Sequence, residues 1–181
     1  MIAPFDNQVD DIVHLVVETA KTRHDQSMSA ERGWELPLLL AGAFRAIVEE
    51  LHDQLADAGH PGARPIHGFA LQAVGPEGVT VSELGRRLGV TKQAAAKTVA
   101  SLETLGYVHR VAHPQDQRAT LIKRAPRGDE MLALSAQIFG RIYAETAQRL
   151  GPAELKGLEV ALSRIASERT PRLGDLPGWL R

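Results

Sequence analysis

Thr91, Lys92, Gln93, Ala96 and Lys97 crowd the front of one helical pattern, KQAAAKTVASLET. Arg118 follows downstream in a polar stretch, HPQDQR. Gln93 carries a donor and an acceptor that match an adenine edge, and Lys97 carries a cation that reaches guanine or phosphate. The small side chains of Ala94, Ala95 and Ala96 let a helix backbone come close to a groove. Counting around the helix places Ala95, Val99 and Leu102 on a core face and turns Gln93, Ala96 and Lys97 outward. Thr91 and Lys92 stand near its start, where backbone amides can meet phosphates. An arginine on a hairpin, as Arg118 would be, can enter an adjacent minor groove. These residue types point to duplex binding and not to bond making.

Other chemistry finds little support. Cysteine is absent, so no disulfide, thiol nucleophile or cysteine redox switch is available. No Gly-rich phosphate loop, nucleophile elbow or paired-carboxylate motif occurs, and the expectation is that the chain is not an enzyme. His109 and His113 fall on or beside the hairpin, where solvent exposure is the expectation. His52, Asp53, His60 and His67 are the closest-spaced metal-ligand types. They lack the His-x-x-x-His or His-Glu-x-x-His spacing that sets two ligands on one helical face. No metal and no cofactor is expected, and a metal-responsive regulator stands as an alternative.

Charge is uneven. The whole chain is −1, but Arg86 to Arg127 holds nine Lys/Arg against Glu103 and Asp116, a local +7 that leaves −8 elsewhere. A basic block in a neutral chain suits a polyanion. A solvated charged surface is the bland alternative. Met1 to Asp11 lacks the basic start and apolar run of a signal peptide. The longest apolar run, Leu36 to Phe44, is too short to span a bilayer. A cytoplasmic protein with no membrane partner is expected.

The elements that must position these residues follow from periodicity and punctuation. Ile12 to Val17 reads as a short helix after Asp10 and Asp11. Leu36, Leu39, Leu40, Ala43, Ile47, Leu51 and Leu55 mark a helix over 35–58, ended by Gly59 and Pro61. Ile66 to Val74 is a shorter helix. Thr80 and Glu83 form a capping-box pattern before a helix over Val81–Leu88. Gly89 ends that helix, Thr91 caps the next, and Gly106 stops it. Tyr107–Val111 and Thr120–Lys123 read as strands flanking a loop at Pro114 to Arg118. Two helical patterns follow, broken at Gly151-Pro152, and the tail from Pro171 is irregular. The order helix, turn, helix, hairpin is a winged helix-turn-helix. The expected fold is mainly α with a small β-hairpin wing, the winged domain being flanked by dimerisation helices. The divisions are an N-terminal extension over 1–33, a dimerisation helix over 34–62, the winged domain over 63–125, C-terminal dimerisation helices over 126–168 and a tail over 169–181.

From Thr80 to Gly128 the sequence resembles the DNA-binding core of the MarR family of transcriptional regulators. The resemblance extends more loosely from about Glu35 to Ala166. The Asp-x-Arg of Asp116 and Arg118, with a small residue after it, is similar to the family's wing signature. Gly106-Tyr107-Val108 matches the exit from its recognition helix. The resemblance implies that Arg118 contacts the minor groove and that Asp116 positions it. The chain departs from the pattern at His113, where an acidic residue is common, at Gln115, where a basic one is frequent, and at Ala96, where serine is common. Each departure removes a polar or charged contact and puts sequence preference and affinity in question.

The resemblance also implies a homodimer, a palindromic operator and double-stranded DNA as partner. The first long helix and the last two carry apolar faces broader than one small winged domain would bury. Many members are repressors released by small aromatic anions held between the dimer helices and the winged domain. Trp34, Phe44, His60, His67 and Phe69 fall in the matching region, where rings and imidazoles suit an apolar ring with a carboxylate. The competing reading is that Phe44 and Phe69 are core and His67 is a satisfied or exposed histidine. A winged helix that binds a protein partner and no DNA is the remaining alternative.

Overall fold

A computed structural model of the chain describes residues 33–113 and 116–167, with the side chains of 116–119 and 167 left undescribed. The expected helix at Ile12 to Val17 and the tail from Pro171 lie outside the described residues. The chain divides into two compact units, 1–50 and 51–181. Six helices and one hairpin are described: α1 (Glu35–Asp57), α2 (Pro65–Val74), α3 (Val81–Leu88), α4 (Lys92–Thr104), β1 (Val108–His113), β2 (Asp116–Arg124), α5 (Pro126–Leu150) and α6 (Pro152–Ser167).

Local chemistry accounts for the boundaries. Thr80 caps α3 and Thr91 caps α4, each hydroxyl oxygen accepting from a backbone N–H three residues on, Glu83 N and Ala94 N, both at 3.2 Å. Gly89 closes α3 at φ 67°, ψ 27°, the left-handed conformation that favours glycine, and this makes the tight turn into α4 possible. Pro65 opens α2 and Pro126 opens α5, positions where a missing N–H costs nothing.

The hairpin is longer than the sequence suggests. Its strands pair antiparallel from Val108↔Arg124 to Ala112↔Thr120, and then the register shifts so that His113 meets Asp116. Polar residues at 116–118 read as loop in the sequence, yet their backbone is strand. Ladder hydrogen bonds come from the main chain, so a run of polar residues can extend a strand. Val79 adds a short bridge to Ile122, with Val79 N donating to Ile122 O at 3.0 Å and Ile122 N to Val79 O at 2.7 Å.

The core of the second unit gathers Leu71, Val74, Leu84, Leu88, Val99, Leu102, Tyr107, Ile122, Met131 and Ile138, contributed by α2 to α5 and the hairpin. Tyr107 is its largest fully buried side chain. The Tyr107 carbonyl accepts from Ala125 N at 2.9 Å, and Tyr107 N donates to Leu102 O at 2.9 Å. Gly128, in the first turn of α5, packs so closely that a Cβ there would stand 2.3 Å from Tyr107 O. That atom belongs to backbone, which cannot swing aside.

Gly128→Ala is therefore expected to lower stability by about 1–3 kcal/mol or more, as overpacking does. Urea unfolding with circular dichroism measures it. A variant as stable as the parent would show that the contact between α5 and Tyr107 relaxes freely.

Candidate nucleic-acid interface

The helix-turn-helix is set by α3 and α4. On α4, Ala95, Val99 and Leu102 are fully buried and hold the helix to the core. Gln93, Lys97, Ala100 and Thr104 are exposed on the opposite side, at steps of four, three and four residues. This row is one stripe of an α-helix. Lys92 and Thr91 are exposed at its start. Ala96 is only half exposed and flanks the row. Counting from the core face finds Gln93 and Lys97. The same count, carried two turns further, would have found Ala100 and Thr104.

Several hydroxyls along α4 are already engaged. Thr91 Oγ1 accepts from Ala94 N, which leaves its proton to donate. Thr98 Oγ1 donates to Ala94 O at 3.2 Å and Thr104 Oγ1 to Ala100 O at 3.0 Å, which leaves both as acceptors. Gln93 and Lys97 are the long polar side chains that project from the outward row.

The basic block resolves into two kinds of charge. Arg86 Nη2 meets Glu83 Oε2 at 2.6 Å, and Arg87 Nε meets Glu83 Oε1 at 2.8 Å. Arg87, then Arg86, hold the Glu83 carboxyl below the usual carboxylate range. Arg87 Nη1 also donates to Ala73 O at 2.8 Å, tying α3 to α2. Arg110 pairs with Glu103 at 2.8 Å, joining the wing to α4. Arg124 Nε stands 2.6 Å from Asp129 Oδ1, close enough for an ion pair but not aligned for a hydrogen bond. Arg127 donates to Leu105 O at 3.2 Å and Gly59 O at 2.6 Å. These five arginines brace the fold. Glu83 and Asp129, two of the carboxylates that answer them, lie just outside the segment whose charge was counted. Lys92 and Lys97 pair with no carboxylate among the described residues.

Asp116 and Arg118 have their backbone in β2, beyond the register shift, and their side chains lie outside those described. His109 is exposed on β1, and His113 is half-buried at the shift.

The five residues expected around a ligand fall into two groups. Trp34 and Phe44 belong to the first unit, and His60, His67 and Phe69 to the second. Trp34 and Phe44 are exposed, and Phe69 is half-buried. His60 is buried with Nδ1 3.1 Å from the Tyr107 hydroxyl. Burial, and then Arg127, lower its pKa against a smaller opposing pull from Glu130. Burial also raises the Tyr107 pKa, so this pair is neutral at pH 7. The Arg127 guanidinium stands over the Tyr107 ring, 5.6 Å from its centroid.

His67 is fully buried in α2 and reaches α4. Its Nδ1 accepts from Arg64 N at 3.2 Å, and so Nε2 carries the proton and donates to Ser101 Oγ at 3.1 Å. Burial, then Arg64, then His52 push its pKa down to about 4. Protonating Nδ1 would set two donors against each other. Among the described residues no group of three or more His, Asp or Glu is placed to hold a metal. Nor is any helix there long and apolar enough to cross a membrane.

Comparison with known proteins agrees with this architecture. Residues 65–119 match the model of the MarR family, whose members are transcription regulators and not enzymes. No curated protein matches the chain. Streptococcus pneumoniae FabT, solved in complex with DNA, is 17% identical with a TM-score of 0.64, covering 75% of this chain and 95% of its own. A mutant E. coli MarR complexed with operator DNA is 22% identical with a TM-score of 0.57, covering 76% of this chain and 99% of its own. The YusO protein of Bacillus subtilis is 18% identical with a TM-score of 0.59, covering 78% of this chain and 99% of its own. At these identities the likeness is one of fold.

The His67 geometry sets a pH dependence. Its folded pKa of about 4 lies below the unfolded value of 6.5, so the unfolded chain binds the proton first. Stability is full above pH 6.5 and is lost as pH falls from there towards 4. Between pH 7 and pH 5 the loss should be about 2 kcal/mol, and His60 adds in the same direction. Urea unfolding at the two pH values checks this. His67→Gln should flatten the dependence, and an equally steep loss in that variant would assign it elsewhere.

Proposed function

We infer that this chain, which carries the MarR-family winged helix over residues 65–119, is a transcription regulator that reads duplex DNA as a homodimer. The observation that carries the reading is the outward row of α4. Gln93, Lys97, Ala100 and Thr104 stand exposed while the opposite side of the same helix is fully buried. A helix so presented lays one face in a major groove. Gln93 pairs with an adenine edge, and Lys97 takes guanine or phosphate. Ala100 packs on a thymine methyl, and Lys92 meets the backbone at the helix start. Arg118 on the wing reaches the neighbouring minor groove, with Asp116 as its support.

A second copy of the chain completes the reader. On α6, Leu158, Val160, Leu162 and Ile165 are exposed, and α5 exposes Phe139, Tyr143 and Leu150. Apolar side chains in that number on two adjacent helices suit burial against a partner. A two-fold dimer sets its recognition helices about one DNA turn, roughly 34 Å, apart and matches a palindromic operator. From the family resemblance alone we also propose that the protein is a repressor released by a small aromatic anion.

Selection of duplexes from a random pool tests the whole proposal. A palindromic site whose affinity falls steeply with salt is expected, because neutralised phosphates release counterions. Gln93→Ala should cost about 1–3 kcal/mol and relax preference at one base pair of each half-site. Lys97→Ala should weaken binding at every salt concentration. No enrichment by folded, dimeric protein would sink DNA reading.

Leu162→Arg tests the interface. Sedimentation should show a shift from dimer to monomer with the far-UV spectrum unchanged. A dimer of undiminished affinity would remove α6 from the contact.

A further inference from the structure

Arg64 precedes α2, well outside the helix-turn-helix, and its guanidinium reaches α4. Its Nη2 donates to Ser101 Oγ at 3.2 Å. Ser101 lies four residues after Lys97, so the two are neighbours one turn apart on the helix surface. Arg64 is thereby set beside the groove-facing row, one turn beyond Lys97.

Like four of the five arginines that brace the fold, Arg64 is exposed, and two features set it apart. Its partners, Ser101 and His67, are neutral, and no carboxylate pairs with it among the described residues. Its position is also held from below. The Arg64 backbone N–H donates to His67 Nδ1, and His67 Nε2–H donates to the same Ser101 oxygen that receives the guanidinium. His67 is fully buried, so α2, the residue before it and the flank of α4 are locked together. An arginine paired with a carboxylate has its charge answered. One held by a serine hydroxyl keeps its charge and its remaining N–H donors for a ligand outside.

We propose that Arg64 is a DNA-phosphate contact of the recognition surface, seated on α4 through Ser101, with His67 as the positioning residue beneath it. The proposal rests on the DNA-reading function above. An arginine fork fits phosphate oxygens and carries no base information. Its role is to fix the register of α4 on the duplex while Gln93 and Lys97 read. Arg64 is not legible from the sequence as part of this surface, because it stands outside the basic block, in a loop between Gly59 and Pro65, and nothing local links it to residue 101.

The test uses the full-length dimer and the duplex that the wild type selects. Arg64→Gln should weaken binding and flatten the plot of log K against log salt by about one unit per subunit, with the selected consensus unchanged. Arg64→Lys should restore the slope. A purely structural role would lower the melting temperature and leave the slope as in wild type. That outcome, or Arg64→Gln binding as tightly as wild type at every salt concentration, would overturn the proposal while the DNA-reading function stood. Failure of the wild type to select any duplex would overturn both.

Discussion

The Tyr107 junction is the constraint on which the second unit depends. One residue joins the end of α4 to the start of β1 and also touches the start of α5. Its N–H is bound by Leu102, and its carbonyl is bound by Ala125 and packed against Gly128. Its hydroxyl meets His60, and its ring lies under Arg127. Arg127 in turn binds the carbonyls of Gly59 and Leu105, one in the loop after α1 and the other in the residue that caps the end of α4. The direction in which α4 ends, the base of the wing and the first turn of α5 are thus set by the same few atoms. The row on α4 and the wing cannot be re-aimed independently. On the proposed reading this is what lets one subunit present helix and hairpin to adjacent grooves at a fixed angle.

Charge shows the same division between scaffold and surface. A chain of net −1 can still offer a positive face, because only the local field matters at a contact. Most of the arginines in the basic block do not supply that face. Arg86, Arg87 and Arg110 are answered by Glu83 and Glu103, and Arg127 lies across backbone carbonyls. Surface ion pairs of this kind contribute little to stability individually. Their effect is geometric, since each joins neighbouring elements or stiffens a short helix. The lysines on α4 are left to face outward. Arginine's planar fork suits the bracing of carbonyls and carboxylates in these positions.

What could be read from the chain follows from the range of the forces involved. The bounds of α3 and α4 were legible because Thr80, Thr91 and Gly89 act within one turn. The core stripe Ala95, Val99 and Leu102 was legible because helical periodicity needs no partner. The full length of β2 was not, because its outer part is polar and its strand character comes from main-chain pairing across the hairpin. The Val79 bridge to Ile122 was hidden for the same reason. Tyr107, Arg127 and His60 are well separated in the sequence, and only the folded chain brings them together. His60 and His67 were legible as unusual residues, but their partners were not. One is bound to a tyrosine at the wing base and the other to a serine on α4.

The departure at Ala96 shows how placement changes the weight of a sequence difference. Read along the chain, an alanine where serine is common looks like a lost contact in the middle of the reading surface. In the folded protein Ala96 is half exposed, on the flank of the row that points furthest out. The positions that lead are Gln93, Lys97, Ala100 and Thr104. A lost hydroxyl at the flank takes away at most a glancing contact, and a substitution in the leading row changes what a base edge meets. Two polar heads followed by a methyl group form a short, ordered set of demands on a half-site. The Thr104 hydroxyl, already donating to Ala100 O, can only accept there. Selectivity on this reading comes from the order of those groups along one stripe of α4. The arginines that dominate the charge count serve chiefly to hold that stripe in place.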